Sequence, residues 1–78
     1  MPEVQQPQIP RQTVASSNIR SIGYHPGQKT LSIEFLNGHI WHYSNVPPEK
    51  HKELMGATSK GAYFAREIRG KFGETKVA

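Results

Sequence analysis

Seventy-eight residues, a formal net charge of +4 and no cysteine set the outer limits of this chain. That length makes one domain with a small core, and without cysteine there is neither a disulfide nor a thiolate zinc site. No apolar run approaches the roughly 18 residues of a membrane-spanning helix, and no leader pattern opens the chain, so a cytoplasmic location with no membrane partner is expected.

Residues 1–13 hold three prolines and four glutamines. They are expected to form a disordered N-terminal tail that folding does not need. Val14 to His25 reads as the first strand. Ile22 and Tyr24 share one parity and Ile19 the other, so Ser16-Ser17-Asn18 should turn or bulge before the strand settles. Pro26-Gly27 is a turn, which makes the next strand an antiparallel neighbour.

Thr30 to Tyr43 organises the rest. Leu31, Ile33 and Phe35 alternate with Ser32 and Glu34, Asn37-Gly38 is a hairpin signal, and Ile40 to Tyr43 follows as the third strand. Two registers are open. A two-residue loop pairs Glu34 with Trp41 and puts Trp41 and Tyr43 opposite Leu31, Ile33 and Phe35, as an aromatic platform for stacking bases. A three-residue loop with Gly38 in the left-handed region pairs Ile33 with Trp41 and Leu31 with Tyr43. Five large apolar groups then share one face, and a slip of one residue would move the whole set. The second register is preferred, because two helices need one apolar face to cover.

Asn45-Val46-Pro47-Pro48 ends the sheet, since proline donates nothing to a ladder. Pro48 and Glu49 suit the first turn of a helix over Glu49 to Met55, with His51, Leu54 and Met55 packing and Gly56 stopping it. Thr58 or Ser59 can cap a second helix from Lys60 to Gly70. Phe64, Ile68 and Phe72 recur every fourth residue as its apolar stripe, and Gly61 and Ala65 leave room for close approach to the sheet. Residues 73–78 are expected to be a flexible C-terminal tail. The fold expected is α+β: a three-stranded antiparallel meander followed by two short helices packed on one face, over residues 14–72. Its core is Ile22, Tyr24, Leu31, Ile33, Phe35, Trp41, Tyr43, Leu54, Phe64 and Ile68.

Chemistry is sparsely marked. His39 and His42 point to opposite faces of a regular strand and cannot chelate one ion together, so no metal and no cofactor are expected. There is no aspartate, and no convergent set of polar residues suggests an active site, so the chain is read as a non-enzyme. Thr58-Ser59-Lys60-Gly61 lacks the upstream glycines of a phosphate-binding loop and reads as a helix cap. The basic segment is Lys60 to Lys71, with Lys60, Arg66, Arg69 and Lys71 against Glu67. With Arg20, these cations are the candidate contacts for nucleic acid, as phosphate ligands and base-stacking groups.

Ser17-Asn18-Ile19, Ile22-Gly23-Tyr24, Leu31-Ser32-Ile33-Glu34-Phe35, Asn45-Val46-Pro47, Ser59-Lys60-Gly61-Ala62-Tyr63-Phe64 and Ile68-Arg69, taken together, resemble the KTSC domain family. The family occurs at the C-terminus of some lysyl-tRNA synthetases and as short bacterial and phage proteins. Its central Tyr-x-Tyr motif stands here as Trp41-His42-Tyr43, keeping aromatic bulk and losing one phenol. The resemblance implies no catalytic residue, and it implies RNA binding only through attachment to a tRNA-handling enzyme. Two functions follow as expectations. One is a small RNA- or single-strand-binding module; the other is a protein-interaction module that uses a sheet edge or the Pro47-Pro48 surface. Salt dependence separates them.

Overall fold

The structure, a computed structural model, describes residues 9–78. Five antiparallel strands form one meander in chain order: β1 (Arg11–Thr13), β2 (Ile19–His25), β3 (Thr30–Phe35), β4 (Ile40–Ser44) and β5 (Gly73–Lys76). Two helices, α1 (Pro48–Gly56) and α2 (Lys60–Glu67), connect β4 to β5. The expected three strands are thus corrected to five, and the two additions come from segments expected to be tails. Both are short, polar and solvent-exposed, so no apolar alternation marks them; pairing of their backbones with β2 and β4 makes them strands. The rest of the expected N-terminal tail, residues 1–8, lies outside the described residues.

The central hairpin has the three-residue loop. Leu31 pairs with Tyr43 and Ile33 with Trp41. The Phe35 N–H donates to the His39 carbonyl and the Gly38 N–H to the Phe35 carbonyl, both at 2.9 Å. Gly38 has φ +92°, the left-handed residue that this loop requires. Asn37 braces the turn by accepting the His39 N–H on its side-chain oxygen at 2.9 Å.

The parity conflict at Ile19 resolves as a β-bulge inside β2. Ile19 pairs with Phe35 but Ser21 pairs with Glu34, so Arg20 is the extra residue. That shift carries Ile19 and Ile22 to the same face, 0% and 1% exposed. Both helices pack on this face. Ile19, Ile22, Leu31, Ile33, Tyr43, Val46, Leu54, Tyr63, Phe64 and Ile68 form the core, with Tyr24, Phe35 and Trp41 half-buried against it. Ile19, Val46 and Tyr63 are additions to the expected set.

Ser59 caps α2 by accepting the Ala62 N–H. The helix ends at Glu67, earlier than Gly70, and Gly70 has φ +77° in the turn that follows. Ala65 faces solvent, and Gly61 makes room for the Asn18 side chain rather than for the sheet. On the opposite face of the sheet Ile9 is 7% exposed. It packs beside Gly23, where a Cβ would run into the Pro10 carbonyl oxygen.

Candidate functional site

The register places Trp41 on the helix-covered face, yet the helices do not close over the hairpin end of that face. A cleft of about 550 Å³ remains there. Phe35, Trp41, Tyr43 and Phe64 supply its aromatic wall. Phe64 stands edge-on to Phe35 and to Tyr43, with ring centroids 5.4 Å away in each case, a favoured aromatic geometry. Tyr43 is buried, whereas Phe35 and Trp41 are half-buried. Trp41 is therefore a core residue on one side and a wall of an open cleft on the other.

The polar rim has four sources. Ser17 and Asn18 come from the loop before β2, Asn37 from the hairpin, and Arg69 and Glu74 from the turn after α2 and from β5. Glu74 accepts the Gly70 N–H at 3.2 Å. Burial pushes the Tyr43 hydroxyl up to about 12, helped by Glu74 and partly offset by Arg69. Tyr43 therefore stays neutral at physiological pH. Lys76 lies directly across from Trp41 in the ladder, on the same face of the sheet.

The five candidate cations are not equivalent. Arg66 is bonded to Glu67 at 3.2 Å and lies over the Tyr63 ring, 5.6 Å from its centroid. Glu67 also binds Lys50 at 3.0 Å, tying α1 to α2. These two cations hold the Glu67 carboxyl below the usual carboxylate range. Lys60 donates to the Ala57 carbonyl at 3.3 Å. Arg20 is 3.8 Å from Glu34 and donates to the Leu36 carbonyl at 3.4 Å. Arg69 and Lys71 are exposed and form no ion pair among the described residues. The structure thus brings Arg69 to the aromatic cleft, keeps Lys71 in the same turn, and engages much of the charge of α2 internally. Asn18, Asn37, Glu74 and Lys76 were not among the candidate site residues, and Trp41 was one only in the register that the structure does not adopt. A half-exposed tryptophan opposite a lysine was the signal, hidden because β5 carries no strand pattern.

The histidines lie apart from the cleft. His51 stacks on Tyr24 with centroids 4.8 Å apart, and the Tyr24 hydroxyl donates to the Val46 carbonyl. His42 lines a second hollow on the opposite sheet face, beside Ile9 and Thr75. No metal-ligating group of three or more residues occurs among the described residues. Nor does any described helix have the length and apolar character to cross a membrane.

The sequence pattern that defines the KTSC domain matches residues 15–72. The chain belongs to the KTSC domain family. A crystal structure of a KTSC domain protein from Yersinia pestis superposes with a TM-score of 0.86 at 42% identity, covering 91% of this chain and all of the other. An uncharacterised protein of Stutzerimonas stutzeri is 43% identical over 54 residues, which are 69% of this chain and 76% of that protein. A lysine–tRNA ligase of Nostoc punctiforme is 41% identical over 56 residues, 72% of this chain but 10% of the ligase. In this KTSC domain Trp41 and Arg69 lie within the family match, whereas β5, with Glu74 and Lys76, lies beyond it.

Proposed function

We propose that this KTSC domain is a cytoplasmic, non-catalytic module that binds single-stranded or looped RNA at the open cleft and on the cations of the turn after α2. The observation that carries the reading is Arg69, an exposed cation without an acidic partner among the described residues, at the edge of a cleft walled by a half-exposed tryptophan. An aromatic wall for base stacking and a cation for phosphate are what single-strand recognition uses. The lysine–tRNA ligase relatives support it, since there the similar stretch is about a tenth of a protein named for tRNA. Among the candidate cations Arg69 and Lys71 rank first; Arg20, Lys60 and Arg66 rank second, because each already bonds within the protein.

Fluorescence anisotropy with labelled tRNA, single-stranded RNA and duplex DNA tests this. The tRNA and the single strand should bind more tightly than the duplex, and affinity should fall with salt. Changing Arg69 and Lys71 together to Ala should reduce the log–log salt slope on single strands by about 1.4, or about 0.7 for each lost phosphate contact. Absence of binding up to about 10⁻⁴ M at low salt, where even non-specific binders register, would contradict the proposal and favour a protein-interaction module.

A further inference from the structure

Resting on the RNA reading, we infer that the cleft seats one unpaired nucleobase, stacked on Trp41, with Asn18, Asn37 and Glu74 as partners for its hydrogen-bonding edge and with its phosphate on the cations Arg69 and Lys71.

The volume of about 550 Å³ falls within the roughly 300–1,000 Å³ of small-ligand sites. A planar ring fits an aromatic wall whose two half-buried members are Phe35 and Trp41, and tryptophan is the strongest stacking surface among the side chains. The rim holds both kinds of hydrogen-bonding group, as a base edge demands. Asn37 and Asn18 have their side-chain oxygens engaged by the His39 N–H and the Ser16 hydroxyl, which leaves their amide N–H groups as donors. Glu74 has one oxygen engaged by the Gly70 N–H and the other left as an acceptor. A duplex cannot enter in this way, because its bases are stacked and paired. Glu74 belongs to β5, beyond the family match.

The test compares one labelled single-stranded RNA with the same strand made abasic at its central positions, each titrated by anisotropy. Wild type should bind the abasic strand about 5- to 100-fold more weakly, the range that one stacked base contributes. Trp41→Leu should bind both strands equally, at about the wild-type affinity for the abasic strand. Arg69→Ala/Lys71→Ala should weaken both strands and keep their ratio. Equal wild-type affinity for the two strands would overturn the base pocket while leaving RNA binding standing. Failure of wild type to bind either strand would overturn the RNA reading and the pocket with it. The wild-type comparison needs no variant, so a Trp41→Leu protein that does not fold leaves the pocket still testable.

Discussion

Trp41 and Phe64 share one aromatic face but differ in burial. Phe64 is 2% exposed and wedged between Phe35 and Tyr43, so Phe64→Ala should cost about 3–5 kcal/mol in urea denaturation, as deletion of a buried Phe does. Trp41 is half-exposed, so Trp41→Ala should cost clearly less, despite the larger side chain. Histidines carry the residue-scale pH dependence. Burial lowers the pKa of His51, and burial followed by the Arg11 charge lowers that of His42. Near and below the ordinary value of about 6.5 the unfolded chain therefore takes up protons that the folded chain resists. Stability then rises with pH in that window and is lost as pH falls from 7 toward 5. Glu67, whose carboxyl is held low, stays ionised throughout and does not mask the effect. The urea midpoint should be lower at pH 5 than at pH 7.5, and His51→Phe, which keeps a ring against Tyr24, should reduce the difference. An equal midpoint at both pH values would contradict this assignment.

Elements differ in how far side chains announce them. The β3–β4 hairpin was legible because alternation and Asn37-Gly38 agree, and the requirement for one apolar face chose the register. The parity conflict at Ile19 signalled an irregularity, but it was expected at Ser16-Ser17-Asn18, before the strand, and it occurs at Arg20, inside β2. β1 and β5 were not, because backbone pairing to a neighbouring strand leaves no periodic signature in Arg-Gln-Thr or Gly-Glu-Thr-Lys. The cleft was not legible either, since it depends on where α2 stops and how much of the sheet it covers. Arg66 and Arg69 are neighbours on a helical wheel, but α2 ends between them. The N-terminal flank was expected to be dispensable, and buried Ile9 argues against that expectation. Deleting residues 1–10 should lower the melting temperature by roughly 6–24 °C, since losing one buried aliphatic side chain costs about 1.5–3 kcal/mol and each kcal/mol shifts a domain of this size by about 4–8 °C. Gly23→Ala should destabilise the full chain, because its Cβ meets the Pro10 carbonyl oxygen. The same change in the chain lacking residues 1–10 should cost much less, a coupling measurable as a double-mutant cycle. Additive effects would mean that the flank does not rest on Gly23.

At the scale of the whole molecule, a meander carries two helices over most of one face and leaves its hairpin end open, with an aromatic wall below and, at the rim, an arginine without an acidic partner among the described residues. Net charge of +4 favours encounter with a polyanion, but the internal bonds of Lys50, Lys60 and Arg66 direct attention from the helix surface to the cleft. Because Trp41 is the single tryptophan, its emission reports on that cleft without a label. The most direct measurement is therefore a titration of intrinsic fluorescence with single-stranded RNA at low salt, run beside the anisotropy titration. Binding at the cleft predicts that Trp41 emission is quenched and saturates with the same Kd as the anisotropy signal; emission that stays constant through saturating RNA contradicts it.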